Sequence, residues 1–415
     1  MDEISNSALF SLEGCYETPR PKALLALAKE SNLLNGTVQT PAGNHISAPE
    51  YCMMLYCNAT EIEKACDLFK QFFQKQADSP AFQEMVKEAY QIVCLLLTIE
   101  RASPSCWNFG SESRYMAAAA GIQLNRLEMN TFLAQQGSFA SKAYAPSKSG
   151  LMANNPLAVA IYAAELFTLC NSGKVYNRVD VPQQLRDKVN SCIRTEGNEK
   201  EKETLEALMD TFCPAFLEER IGSMESMRIY LSSSDFYTAP ASTKYHGNFV
   251  GGLANHNIQV FLRLMDIYKP QTEKEVGMLI LLTVAHDLCK IGVYHEYFTN
   301  EKMDGPALRM DREGTVFVDE YNTKHWSNGM TYHYQERMKY RFDDDRPQGH
   351  GQKSLNMILG WLPGSITEEM AAAIDGHMRD AETNPYCDRQ MEQYPLCQYL
   401  HIADVMASML YEETI

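Results

Sequence analysis

The chain has 415 residues, which is long for one hydrophobic core and suggests two to three domains. A content of 45% hydrophobic and 10% aromatic residues excludes disorder over most of the chain. A formal charge of −16 excludes a protein coated with phosphate-binding surface, such as a chromatin protein, but leaves room for a small basic pocket that binds nucleotides.

The cysteines and the apolar runs indicate the compartment. Twelve cysteines are scattered without a C-x-x-C pair, and the first residues lack the basic and apolar regions of a signal peptide. The longest apolar run, 276–285, is far shorter than the roughly 20 residues of a membrane span. We therefore expect a cytoplasmic protein with reduced thiols and no membrane partner.

The first part of the chain, 1–228, predicts a mostly helical region whose role the sequence does not reveal. Apolar residues recur with helical periodicity in six segments. These segments are 22–34, 60–76, 81–101, 155–171, 183–195 and 200–219. The stretch 138–156, rich in Ser, Ala, Asn and Pro, predicts a long loop.

The second part, 229–415, predicts a helical domain that contains an insertion, so the expected fold class is mainly α. Helical periodicity occurs at 251–268, 273–290, 352–361, 367–378 and 394–412. The insertion, 293–349, instead has β-prone segments at 315–318 and 330–335 and a tight-turn signal at 327–329. We read it as a β-ribbon or lid that projects from the helices.

An adjacent His286-Asp287 pair ends the most apolar helix of the second part. An ionised aspartate is costly to bury unless a cation pairs with it. Imidazole nitrogen and carboxylate oxygen are ligands that divalent metals bind in proteins. The pair alone is weak evidence for a metal.

Four further polar residues lie in predicted helices of the second part or at their ends: His256, His350, His377 and Asp404. Each of them alone is more often a hydrogen-bonded core residue than a ligand. Together in one helical bundle they indicate a metal site.

The order H … HD … H … H … D resembles that of the HD-domain metal-dependent phosphohydrolases. Residues 286–292 read HDLCKIG, similar to the HD-x-x-K-x-G signature, and residues 400–404 read LHIAD, similar to the closing H-x-A-D helix. Residues 236–256 read FYTAPASTKYHGNFVGGLANH, similar to the start of the HD domain in bacterial 3′→5′ exoribonucleases. The resemblance covers about residues 230–415.

The resemblance implies a metal centre with up to six ligands. The four ligands common to the superfamily are matched by His256, His286, Asp287 and Asp404. His350 and His377 match the two further ligands of members that hold two metals. Asp287 would then bridge two ions, and a hydroxide held between them would attack phosphorus. With one metal, His350 and His377 would bind substrate or donate a proton to the leaving oxygen.

An N/O ligand set of this kind suits Mn, Fe, Co, Ni or Zn. The resemblance gives Lys290 the role of stabilising the transferred phosphate; otherwise it is a surface lysine at a helix end. His246 matches a histidine-rich stretch of the exoribonucleases, which makes it a candidate for substrate binding.

The insertion contains further candidates for substrate binding. Trp326 and Tyr332 lie on the predicted ribbon, where aromatic rings stack on bases. Arg337, Lys339 and Arg341 supply positive charge for phosphates. Acidic residues at 343–345 make the local charge mixed, so an ordinary exposed hairpin is an equal interpretation.

Three functions remain open. The first is a phosphohydrolase that cleaves a nucleotide or a short oligonucleotide, favoured by the acidic charge and by an N-terminal region that does not read as the OB-fold of the exoribonucleases. The second is a 3′→5′ exonuclease on single-stranded RNA or DNA. The third is a nucleotide-sensing module. HD domains often assemble through helices, which leaves a homo-oligomer open.

Overall fold

The computed structural model is mainly helical, as the apolar periodicity predicts. It describes residues 11–41, 43–102, 117–135, 151–170, 176–217, 224–244, 246–302, 308–310, 316–318, 323–325, 331–345, 348–380 and 384–412. Side chains are described throughout these ranges except at 75 and 300–336. Eleven cysteines of the described part are free thiols, and most of them are buried.

The described part of residues 11–217 contains eight helices of six residues or more and one short hairpin. They are α1 (Pro19–Glu30), β1 (Thr37–Gln39), β2 (His45–Ser47), α2 (Ala48–Cys66), α3 (Leu68–Phe73), α4 (Pro80–Ala102), α5 (Arg126–Ala134), α6 (Pro156–Cys170), α7 (Gln183–Cys192) and α8 (Lys200–Leu217). Helix α6 is apolar on all sides and almost wholly buried, with α2 packed along it.

Two predicted helices of this part have the wrong bounds: α1 lies three to four residues before the predicted 22–34, and the larger error concerns 60–76. The segment 60–76 was expected to be one helix, but α2 begins twelve residues earlier, at Ala48. It stops at Asp67, whose φ of 50° is left-handed and separates α2 from α3. Helix α5 and the β1–β2 hairpin were not predicted.

Seven helices follow. They are α9 (Met224–Ser233), α10 (Gly252–Ile267), α11 (Glu273–His286), α12 (His350–Trp361), α13 (Glu368–Gly376), α14 (Cys387–Gln393) and α15 (Pro395–Met406). Helix α11 is buried along most of its length, and α10, α12 and α13 contact it. Helices α9 and α14 were not predicted.

The insertion forms a β-ribbon, which confirms the prediction. Strand β3 (Tyr294–Lys302) pairs antiparallel with β7 (Thr331–Phe342), from Tyr294 opposite Phe342 to Lys302 opposite Tyr334. The shorter strands are β4 (Leu308–Met310), β5 (Val316–Val318) and β6 (Thr323–His325). Strand β6 pairs with β7, and β4 pairs with β5. The turn predicted at 327–329 lies outside the described residues.

A single hydrophobic core runs through both parts of the chain. Helix α8 packs along α11, and α6 contacts α15. The predicted boundary at 228/229 falls inside α9. The division into domains stays a prediction.

Candidate metal centre

The end of α11 sets three functional side chains close together. The helix ends at His286, not at 290 as predicted, because Asp287 leaves helical geometry (φ −114°, ψ 17°). A 3-10 turn, Leu288–Lys290, follows. It brings Lys290 Nζ to 2.6 Å from Asp287 Oδ2, so the two charges form a buried ion pair.

Four other helices supply the remaining predicted ligands. His256 lies in the second turn of α10, and Asp404 lies near the end of α15. His350 begins α12, and His377 directly follows α13. The close approach of α12 to α13 requires glycine at 351, where a Cβ would lie 2.3 Å from the Asp375 carbonyl oxygen. The His350 and His377 ring centroids are consequently 5.2 Å apart.

The two oxygens of Asp287 face two different pairs of histidines. Oδ1 lies 2.7 Å from His350 Nε2 and 3.8 Å from His377 Nε2. Oδ2 lies 3.3 Å from His256 Nε2 and 3.5 Å from His286 Nε2. Asp287 therefore stands between two sets of nitrogen donors, as a bridging carboxylate does.

The opposite ring nitrogens fix the orientation of three of these imidazoles. Nδ1 of His286 donates to the Thr283 carbonyl at 2.5 Å, and Nδ1 of His377 donates to the Ile374 carbonyl at 2.7 Å. Nδ1 of His256 lies 2.6 Å from Glu412 Oε1. With the proton on Nδ1 and a metal in place of any proton on Nε2, each ring would have the tautomer that a metal ligand needs.

The inward Nε2 atoms require a cation or a proton between them. His256 Nε2 and His286 Nε2 are only 3.2 Å apart. His377 Nε2 is buried and has no hydrogen-bond partner in the described part of the chain. A divalent ion would satisfy these atoms, so the donor set fits a metal.

The described residues contain four overlapping groups of three potential ligands, and the ligand atoms of each group lie within 4.8 Å of one another. The groups are His256/His286/Asp404, His286/Asp287/His377, Asp287/Cys289/His350 and His246/His256/Glu412. All six predicted ligands belong to them.

The surroundings keep both aspartates ionised. Burial alone would raise the pKa of the Asp287 carboxyl, but the charges of Lys290 and His286 and hydrogen bonds from His256 and His350 hold that pKa well below its usual range. Burial would also raise the pKa of Asp404, yet the hydrogen bond and charge of His256 lower it. Both carboxylates are therefore ready to bind a cation at neutral pH.

The histidines divide into two kinds. Burial disfavours their charged forms, but the Glu412 carboxylate raises the pKa of His256 well above its usual value, and the hydrogen bond to Asp287 raises that of His350 to about 10. Burial, reinforced by the charges of His286 and His350, lowers the pKa of His377 to about 3. His377 is therefore neutral at ordinary pH and could act as a ligand.

Two residues of the centre were missed from the sequence. Glu412 follows a π-helical turn, Ala407–Tyr411, and its side chain is 0% exposed against His256. Cys289 places Sγ 3.3 Å from His350 Nδ1. Eight residues correspond to about 80° around an ideal helix, so the spacing from Asp404 gave no signal for Glu412.

The predicted substrate-binding residues lie in different places. The His246 ring is 5.3 Å from that of His256, so it adjoins the centre. Arg337, Lys339 and Arg341 share one face of β7, because side chains alternate along a strand. Trp326, and the side chain of Tyr332, lie outside the described residues.

No described helix has the length and apolar character needed to cross a membrane. No model of a known protein family matches the chain, and no curated protein or solved structure matches it. Membership of the HD-domain superfamily rests on the motif residues and stays a prediction.

Proposed function

We propose that this chain is a metal-dependent phosphohydrolase that cleaves phosphoester bonds in a nucleotide or short oligonucleotide. The observation that carries the proposal is the convergence of four histidine Nε2 atoms and Lys290 Nζ on the two oxygens of Asp287. A purely structural core does not need so many buried nitrogen atoms around one carboxylate.

We further propose two ions per chain, drawn from Mn, Fe, Co, Ni and Zn. One ion would be held by His256, His286 and Asp404. The other ion would be held by His350 and His377, and Asp287 would be a ligand of both. When bound, such ions lower the pKa of a water and neutralise charge on phosphoryl oxygens. The mixture of imidazole and carboxylate donors supports these metals over magnesium, which prefers oxygen ligands.

The chain's own residues would orient the substrate and compensate its charge. Lys290 has a side chain 12% exposed, so its ammonium can pair with a phosphoryl oxygen while keeping its contact with Asp287. Asp404 Oδ1, 3.2 Å from His256 Nε2, and Glu412 hold the His256 ring from two sides. His246 would contact the substrate beside His256. Free thiols in the described part and the acidic charge fit an enzyme of the cytoplasm.

A product screen tests the function. The protein with Mn²⁺ is incubated with nucleoside mono- and triphosphates, cyclic nucleotides and short RNA and DNA oligomers, and products are identified by mass spectrometry. Asp287→Ala should retain no metal and cleave nothing, whereas Asp187→Ala, an exposed aspartate on α7, should behave as wild type. Full activity of Asp287→Ala would refute the site.

The second candidate is a 3′→5′ exonuclease. The row of Arg337, Lys339 and Arg341 on one face of β7 favours it, because a backbone of phosphates is bound by such rows. Stepwise shortening of oligomers in the same screen would support it. Bound metal without any cleavage would instead support the nucleotide-sensing module.

A further inference from the structure

A cavity of about 440 Å³ lies between the turn that follows Lys290 and the helix that begins at His350. One wall is the turn that follows Lys290, from Ile291 to Val293, and the other is a side of α12 with Lys353 and Met357. Its volume is in the range of small-molecule sites.

The cavity begins close to the ligands. Lys353 is three residues and Met357 seven residues after His350, so the three share one side of α12. At the helical rise they lie about 4.5 and 10 Å along the axis from His350. On the facing wall, Ile291 directly follows Lys290. A molecule with one end at His350 would need a length of about 10 Å along this side of α12 to reach Met357.

One part of the lining is aromatic. The rings of Tyr230 and Trp361 lie 4.7 Å apart at 40°, and both side chains are half-buried. Met357 and Ile291 continue this apolar surface. Such a surface binds the flat face of an aromatic ring.

The rest of the lining offers hydrogen bonds. Gln348 and Asn356 are linked amides, with Asn356 Nδ2 donating to Gln348 Oε1 at 3.2 Å, and amides both donate and accept. Lys353 pairs with Asp344 at 2.7 Å, so among the described residues of the lining the carboxylate of Asp345 adds a negative charge. Carboxylates accept from hydroxyl groups and repel phosphates.

We propose that this cavity binds the nucleoside part of a mononucleotide whose phosphate lies at the metal centre, an inference that rests on the proposed function. The base stacks on the Tyr230–Trp361 surface and bonds the amides of Gln348 and Asn356, and the sugar hydroxyls donate to Asp345. The negative charge in the cavity opposes further phosphates, so the substrate is a single nucleotide and not an oligonucleotide.

Binding of unphosphorylated nucleosides to metal-free protein tests the cavity without any turnover. Titrations after chelation, followed by Trp fluorescence and by ligand-observed NMR, should show saturable binding of at least one nucleoside. Tyr230→Ala should weaken it about tenfold or more, because one stacked base is lost. Ile229→Ala, on the same helix with a side chain 59% exposed, is the matched control and should bind as wild type.

The outcomes separate the two proposals. Nucleoside binding that Tyr230→Ala weakens, in a protein that cleaves no phosphoester, would keep the cavity and reject the hydrolase. Phosphoester cleavage without nucleoside binding, or with binding unaffected by Tyr230→Ala and Asn356→Ala, would reject the cavity. Binding of oligonucleotides with no binding of nucleosides would also reject it, in favour of the exonuclease.

Discussion

At the scale of single residues, the centre depends on balanced charge around Asp287. This carboxylate is 2% exposed and has Lys290, His256 and His350 within 3.3 Å. Removing one charge from such a group leaves the others uncompensated, and an uncompensated charge in the protein interior has a high free energy. Single substitutions here should therefore have distinct effects on metal and on turnover.

Replacement of Lys290 by alanine should lower turnover about 100-fold, since a charge that stabilises the transition state is lost. Metal content should stay unchanged, because an ammonium cannot ligate. Mass spectrometry of bound metal beside steady-state kinetics measures both quantities. Equal loss of metal would make Lys290 a structural residue, and Lys290→Arg should keep part of the rate.

Replacement of Glu412 by glutamine should weaken metal binding about 10- to 100-fold, because a carboxylate on Nδ1 makes His256 a better ligand. Calorimetric titration with Mn²⁺ or Zn²⁺ measures the effect. Glu84→Gln, an exposed glutamate on α4, is the control. Unchanged affinity in Glu412→Gln would remove Glu412 from the centre.

At the scale of elements, most of the candidate ligands come from helix ends. His286, His350 and His377 lie at or next to the terminus of α11, α12 and α13, and the 3-10 turn aims Lys290 back at Asp287. Helix packing sets where those ends meet. The precision of the centre therefore depends on close contacts between helices.

Substitution of Gly277 by alanine tests one such contact. A Cβ at this position of α11 would lie 2.4 Å from the Phe212 carbonyl oxygen of α8, so the helices must separate. We expect a loss of about 1–3 kcal/mol in the free energy of unfolding, measured with denaturant. Gly360→Ala in α12, with no atom within 4 Å of the added Cβ, should instead be neutral or stabilising.

The long apolar helices and the clustering of the histidines and aspartates could be predicted from the sequence, but the local breaks in the helices could not. Helices α6 and α11 stand out because nearly every position is apolar, and the six predicted ligands, which the structure brings together, follow from a motif. Asp67 ends α2 by adopting a left-handed φ. The presence of an aspartate in the sequence does not by itself predict that conformation. Glu412 reaches His256 through a π-helical turn, and that shift of register depends on tertiary packing.

At the scale of the whole molecule, the part before residue 228 supports the centre through one chain of contacts. Tyr162 Oη of α6 lies 2.8 Å from His401 Nε2, and His401 Nδ1 donates to the carbonyl oxygen of His377. The ion pair of Arg101 and Glu165, at 2.7 Å, holds α4 to the same helix. Binding at the centre should consequently stabilise the entire fold.

Added Mn²⁺ or Zn²⁺ should raise the Tm of metal-free protein, because a ligand that binds only the folded state stabilises it by about 2.7 kcal/mol at 100 times its Kd. Differential scanning calorimetry before and after chelation measures the shift. Asp287→Ala should show none. An identical Tm with and without metal in the wild-type chain would contradict a centre that binds these ions.

The shared core has a mechanical consequence. Helix α8 lies along α11, and α6 contacts α15, so a load applied between residues 11 and 412 must separate surfaces from both parts at once. Two independently folded units in series would yield one after the other under such a load. This chain should instead resist as one body and give way in a single rupture.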